Sequence, residues 1–260
     1  MATSKYSLNE SPDSNENLVA IYNQLKLKFQ LTDKISSWKN LDLIFQVAVA
    51  NRDLFPVINV SAPQTPEKYI EKWIKKYTDA LHNLPSKRVA KAKNSCSDPA
   101  LKTIVKTIRN LSDEAIDIEE KNHNLFMAAE NVQGNLLEEY IANQIEPYGF
   151  VWCMGEILKA IDFCSSDGRV LLQIKNKFNT ENSSSNKIRE GSSIEKWYRL
   201  GCSRKNKKVM PKYMWETLND LINQYKTNGL TLPPCQMSEE SYEIFLKKVA
   251  SENKNLITDL

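Results

Sequence analysis

The sequence predicts a mixed α/β protein, a large helical N-terminal part followed by a core built around a β-hairpin. Three observations carry this expectation. Apolar residues recur at helical spacing through most of the first 146 positions. Only 7 glycines occur in 260 residues, among abundant Leu, Ile, Lys and Glu, and that composition favours helix. Asp167-Gly168 separates two apolar runs, one of the stronger short hairpin signals. The change of pattern divides the chain into a mainly helical region, 1–125, and a core, 126–260. At this length a substantial core can be buried, and 41% hydrophobic with 26% charged residues is ordinary for a soluble globular protein.

Residues 1–14 are polar and are expected to fray. Asn15 to Leu31 reads as an amphipathic helix with Leu18, Ile21, Tyr22, Leu25 and Phe29 near one face. Asp42 to Asn51 is a short apolar segment, and a proline-bearing connection leads to a helix start at Thr65-Pro66, with Thr65 as N-cap and Pro66 in the first helical position. Tyr69, Ile70, Trp73, Ile74, Tyr77 and Leu81 follow at helical spacing, most simply as core. Asp98-Pro99 opens another helix, and Ser112 to Glu146 is helical again, with Leu136, Leu137, Tyr140, Ile141 and Ile145 on a buried stripe. Phe150 to Cys153 is a short strand candidate. The hairpin comes next, with Glu156 at the head of its first strand, Asp162 closing that apolar run, and Val170 to Ile174 forming the second. Met214 to Tyr225 is a helix, Pro233-Pro234 breaks the chain, and Glu239 to Ala250 is the last helix.

Several classes of function lose their support here. Five scattered cysteines without a C-x-x-C pair point to a reduced, cytoplasmic protein in which Cys153 and Cys164 are buried apolar residues. The N-terminus lacks an apolar signal region and no run reaches membrane-spanning length, so neither secretion nor a membrane is expected. His82 and His123 have no partner set for a metal site or a Ser/His/Asp triad, and no phosphate-binding glycine motif supports a nucleotide cofactor.

Charge is unevenly spread. Between Gln173 and Lys212 there are eleven Lys and Arg against three acids, a local excess of eight, so the rest of a chain of net charge +3 carries about −5. Such asymmetry is the footprint of a polyanion partner, the plain alternative being a solvated lysine-rich face. Gln173 and Lys175 lie two positions apart and so share one face of their strand, opposite Leu172 and Ile174. Asp162 on the neighbouring strand can meet this pair at one sheet edge.

This arrangement resembles the active site of the PD-(D/E)xK nucleases, in which an acid and an acid-x-lysine strand converge on Mg²⁺. The resemblance implies a restriction-endonuclease-like core with a mixed central sheet. Asp162 matches the first acid and Gln173-Ile174-Lys175 the acid-x-lysine element, with Gln173 standing where the family usually has Glu or Asp. An amide oxygen can ligate Mg²⁺ but brings no charge, so a further carboxylate is expected from Glu156, Glu138 or Glu139. On this reading Mg²⁺ is held by Asp162, the backbone carbonyl of Ile174 and one of Glu138, Glu156 or Gln173, while Lys175 orients the attacking water. For Glu138 and Glu139 the alternative is a solvated helix acid.

Gly134-Asn-Leu-Leu-Glu-Glu-Tyr140, Trp152-Cys-Met-Gly-Glu156 and the stretch from Asn176 to Arg199 make the likeness closer. Over roughly residues 130–215 the sequence resembles the SinI family of type II restriction endonucleases. That resemblance implies double-stranded DNA as partner, a restriction–modification system, and the palindrome GGWCC cut after the first G. A palindrome is best matched by a C2 homodimer with one active site per strand. Asn182, Ser183, Ser184 and Ser185 suit base edges or phosphates, and Lys187 and Arg189 can fork onto guanine O6 and N7; the alternative is a mobile polar loop. Lys177, Arg199, Arg204 and Lys205 are assigned to the DNA as well, the two arginines and Lys205 to phosphates. Rival readings are a structure-directed or repair nuclease of the same fold and a non-enzymatic basic DNA-binding protein.

Overall fold

The computed structural model describes residues 3–32, 38–91, 97–177, 194–205, 208–225 and 232–258. In chain order these form β1 (Thr3–Tyr6), α1 (Asn15–Thr32), α2 (Trp38–Ala50), β2 (Ile58–Ser61), α3 (Pro66–His82), β3 (Ala90–Lys91), α4 (Pro99–Arg109), α5 (Asp113–Ile145), β4 (Phe150–Trp152), β5 (Phe163–Ser165), β6 (Leu171–Lys177), β7 (Ile194–Lys205), β8 (Lys208–Tyr213), α6 (Trp215–Tyr225), α7 (Glu239–Glu252) and β9 (Ile257–Thr258). The mixed α/β class read from the sequence is the class observed. Two compact units result, residues 1–83 with 141–238 and residues 84–140 with 239–260.

In the first unit, α3 starts where Thr65 Oγ1 accepts the Lys68 N–H at 3.4 Å, with Pro66 beside it. Its buried stripe of Tyr69, Ile70, Trp73, Ile74 and Tyr77 packs on α1 and α2. Tyr22 and Phe45 stack with ring centroids 4.1 Å apart, and Trp73 stands edge-on to both. Trp73 is fully buried, and its indole N–H donates to the Ile157 carbonyl at 2.7 Å, anchoring the segment that leads into the sheet. Gly155 in that segment has φ +79°, and a Cβ there would stand 2.5 Å from the Lys76 carbonyl oxygen, so glycine alone permits the approach.

One expectation for this unit is corrected and another is made specific. The N-terminal stretch is ordered: β1 pairs antiparallel with β2, Leu8 is completely buried, and Ser7 Oγ donates to the Phe55 carbonyl at 3.3 Å. A non-local partner supplies what the polar sequence lacks. The apolar segment 42–51 belongs to helix α2, which buries Leu41, Ile44, Phe45, Ala48 and Val49.

The sheet of this unit has the order β4-β5-β6-β7-β8. It is antiparallel except between β6 and β7, which run parallel. Parallel neighbours need a crossover, here residues 178–193, outside the described residues. After Pro233-Pro234 the chain is strapped to α6 by two reciprocal amide pairs, Asn219 with the Met237 backbone and Asn223 with the Cys235 backbone.

The second unit joins α4, α5 as far as Tyr140, α7 and the parallel pair β3–β9. Asp98 caps α4 through the N–H of Ala100 at 2.9 Å. Tyr140 and Tyr242 pack with centroids 5.2 Å apart, and the Tyr242 hydroxyl donates to the Gln133 carbonyl. Asn253 donates to the Ser86 and Arg88 carbonyls and closes the unit.

Candidate active site

The β5–β6 turn fixes the register that assembles the site. The Ser165 N–H donates to the Val170 carbonyl and the Val170 N–H to Ser165 Oγ, each at 2.9 Å, and Gly168, at φ +70°, makes the left-handed bend that a β-carbon would strain. Asp167 accepts from Ser165 Oγ at 2.6 Å and from the N–H and guanidinium of Arg169, at 3.0 and 2.6 Å. The Ser165 hydroxyl, then the Arg169 N–H and side chain, lower the Asp167 carboxyl to about 2. With the turn so pinned, Phe163 pairs with Leu172, and one step further Asp162 comes up against Gln173.

Asp162 is half-buried and held on three sides. Its N–H donates to the Leu172 carbonyl at 2.9 Å, its carbonyl accepts from the Cys153 N–H at 2.8 Å, and its Oδ2 accepts from the Ile174 N–H at 2.6 Å. The carboxylate is therefore aimed by the backbone of the strand that carries Gln173 and Lys175. Gln173 is 3% exposed, and among the described residues its Oε1 is the one buried side-chain oxygen or nitrogen without a hydrogen-bond partner. Leaving such an acceptor unpaired costs about 1–3 kcal/mol. Lys175, half-buried, lies two residues on and on the same face; among the described residues no hydrogen bond or ion pair engages its ammonium.

The parallel ladder extends this face onto β7, where Lys196 stands opposite Gln173 and Tyr198 opposite Lys175. Sequence reading missed both, because it ran β7 together with the preceding loop; the signal was the aromatic and β-branched run from Ile194 to Tyr198. Cys153 and Cys164 sit behind the site, buried, with sulfurs 3.8 Å apart, and burial pushes the Cys153 thiol up.

The structure does not bring every expected residue here. Glu156 is not at the head of a strand: it occupies a left-handed turn at φ 53°, and its side chain is 94% exposed beside Lys76, 3.8 Å away. The tight approach at Gly155 turns the chain before any strand begins, so Glu156 does not head β5. Glu139 is buried, but Ser86 takes both its oxygens, the N–H at 2.7 Å and the hydroxyl at 2.6 Å. Glu138 is half-buried on α5, in the second unit. Lys177 ends β6 and is exposed. Arg199 is 5% exposed, its Nε donating to Asn176 Oδ1 at 2.8 Å and its guanidinium lying 5.7 Å from the Tyr213 ring centroid. Arg204 and Lys205 close β7. Asn182, Ser183, Ser184, Ser185, Lys187 and Arg189 fall outside the described residues.

A hard divalent cation fits what remains. Among the described residues no three His, Cys, Asp or Glu cluster, so such a cation would rest on one carboxylate, Asp162, and on neutral oxygens, of which the orphaned Gln173 Oε1 is the clearest.

The family model described as SinI restriction endonuclease matches residues 65–231, from the start of α3 through the whole sheet to beyond α6. The chain belongs to the SinI restriction endonuclease family. Within this family the matched segment contains Asp162, Gln173 and Lys175 together with the basic strands. Two relatives agree: the type II restriction enzyme Eco47I of Escherichia coli, 35% identical over 154 residues, or 58% of this chain and 60% of that one, and the type II restriction enzyme SinI of Salmonella infantis, 40% identical over 111 residues, or 41% and 48%. The chain thus spans about half to three-fifths of the curated relatives it matches. The mixed sheet is consistent with a restriction-endonuclease-like fold. No helix among the described residues is long and apolar enough to cross a membrane.

Proposed function

We propose that this SinI-family protein is a type II restriction endonuclease that cuts double-stranded DNA by Mg²⁺-dependent hydrolysis at a short palindrome, G^GWCC. The observation that carries the reading is the buried, unpartnered Gln173 oxygen against Asp162, two residues from Lys175. It belongs to a fold of the PD-(D/E)xK type, in a cytoplasmic homodimer serving a restriction–modification system.

Asp162, Gln173 Oε1 and the Ile174 carbonyl would hold Mg²⁺. When bound, the ion supplies positive charge to the scissile phosphate and acidifies the attacking water. The Ile174 N–H keeps the Asp162 carboxylate aimed, at 2.6 Å, so no side-chain reorganisation is needed at the moment of reaction. Lys175 holds the attacking water in line and stabilises the negative charge growing on the phosphoryl oxygens. The water's oxygen bonds to phosphorus as the P–O3′ bond breaks, leaving 5′-phosphate and 3′-hydroxyl ends. Lys177, Lys196, Arg204 and Lys205 lend the neighbouring phosphates positive charge, which makes binding salt-sensitive. Residues 182–189 supply the base-reading groups.

A digest of plasmid DNA of known sequence, with fragment ends mapped by run-off sequencing, tests this. Discrete Mg²⁺-dependent fragments ending at GGWCC are expected. A smear would favour a structure-directed nuclease, and DNA binding indifferent to Mg²⁺ and EDTA with no cutting would favour a non-enzymatic binder.

A further inference from the structure

The sheet face that carries Gln173 and Lys175 has a reverse side, and Arg199 stands on it. Residues opposite each other in the β6–β7 ladder share a face, so Tyr198 lies with Lys175, and Arg199, one step on, lies with Asn176 on the other side. The contacts agree. Arg199 Nε donates to Asn176 Oδ1 at 2.8 Å, its guanidinium lies 5.7 Å from the Tyr213 ring centroid, and its carbonyl accepts from the Met214 N–H at 3.0 Å. Trp197, on the same side, donates from its indole to the Met214 carbonyl at 2.8 Å and packs on Trp215. The side chain that the sequence assigned to a DNA phosphate is therefore buried behind the strand, turned away from the face where the scissile phosphate would lie. Burying a guanidinium is unfavourable unless its N–H groups are bonded, and an aliphatic side chain would fill the same space without that requirement. Packing alone does not call for arginine here.

The end of β6 needs a brace. β5 pairs with β6 at Leu171 and Leu172, and beyond them the Ile174 N–H is taken by the Asp162 carboxylate. From Lys175 to Lys177, among the described residues, the strand is laddered on its β7 side alone. Asn176, between the two lysines, is the residue that Arg199 grips from behind. We infer that Arg199, acting through Asn176, is a positioning residue: it fixes the end of β6, so aims Lys175, and does not contact a DNA phosphate. The inference rests on the nuclease reading above for what Lys175 does. A displacement of about 1 Å in a group acting on the reacting atoms can cost about 10²-fold in rate, so a loosened β6 end is felt first at Lys175.

The test is single-turnover cleavage of a GGWCC duplex in Mg²⁺ by the wild type, Arg199→Met, Asn176→Ala, Lys175→Met, and each of the first two variants combined with Lys175→Met. Binding of the same duplex is titrated in EDTA over a salt series. Circular dichroism and a thermal melt verify the fold, and Asn176→Ala, at a half-buried site, carries the test should Arg199→Met not fold. Each of these two variants should cut at least about tenfold more slowly than the wild type. In the Lys175→Met background the same substitution should cost less than about twofold, because a residue acting through Lys175 has nothing left to aim. A purely structural loss would be equal in both backgrounds. The salt slope of binding should stay at its wild-type value. Equal losses in the two backgrounds, or folded variants cutting within about twofold of the wild type, would overturn the inference. So would a slope lowered by about one in Arg199→Met, the mark of one lost phosphate contact. A wild type that does not cut sinks the nuclease reading and this role with it; a wild type that cuts at GGWCC, with equal losses in both backgrounds, sinks the inference alone.

Discussion

The two ends of the β5–β6 hairpin treat their polar groups in opposite ways. At the turn, Asp167, Ser165 and Arg169 satisfy one another, and the Asp167 carboxyl is held down at about 2. Six residues along the chain, Gln173 buries an amide oxygen that nothing among the described residues meets. The turn therefore contributes stability and the other end gives some up. The open acceptor is the group that the proposed cation would satisfy, whereas the turn needs nothing further.

That contrast can be broken or sharpened by substitution. The largest effect is expected at Lys175: Lys175→Met should lower single-turnover cleavage by about 10²–10³-fold while plasmid binding holds, since a preorganised charge acting in the transition state is removed. Near-normal turnover would take Lys175 out of the chemistry. Next, Gln173→Glu restores a charged ligand, so the Mg²⁺ concentration giving half-maximal cleavage should fall by on the order of tenfold. Mg²⁺ should also raise the melting temperature of this variant more than that of the wild type, because the ion binds only the folded state. Equal Mg²⁺ dependence in both proteins would place the cation elsewhere. Gln173→Leu should gain about 1 kcal/mol of stability by removing the unpaired acceptor, while cleavage falls. A loss of stability would show that the oxygen has a structural partner after all.

The smallest effect belongs to the turn. The Asp167 carboxyl is lowered from 3.8 to about 2, so its contribution is fully present above about pH 3.8 and is lost as pH falls through about 2. Its side chain is 45% exposed, so solvent screening cuts the contribution to roughly 1 kcal/mol. Asp167→Ala should accordingly lower the melting temperature at pH 7 by a few degrees, about 2–4 °C per kcal/mol. The gap from wild type should close in melts run towards pH 2, with cleavage at neutral pH nearly unchanged.

What could be read from the sequence is what local chemistry dictates. Thr65-Pro66, Asp98-Pro99 and Asp167-Gly168 specify their caps and turn through neighbours within a few residues, and each stands where those signals put it. Helices such as α3 and α5 announce themselves by periodicity. What failed depended on distant partners. β1 is a strand only because β2, more than 50 residues away, pairs with it. The pairing of β7 with β6 spans the 178–193 connection, so the alignment of Lys196 and Tyr198 with Gln173 and Lys175 was invisible. Glu139 looked available on its helix until Ser86, 53 positions earlier, took both oxygens. Glu156 was expected in a strand, but the close contact of Gly155 with Lys76 decides otherwise. For Asp162 the two-residue alternation and the hairpin signal sufficed to place it beside the strand that carries Gln173 and Lys175; that the Gln173 oxygen lacks a partner became visible only in the structure.

The most direct test of the central claim compares Asp162→Ala with the wild type, measuring cleavage of a GGWCC-bearing duplex in Mg²⁺ and binding of the same duplex by gel shift in EDTA. The account predicts that cleavage is lost by 10³-fold or more, on the order expected for removing a metal-bearing carboxylate, while binding stays within a few-fold of wild type. Cleavage near the wild-type rate in a variant that still folds would contradict it, and the site would have to be sought outside the β5–β6 hairpin.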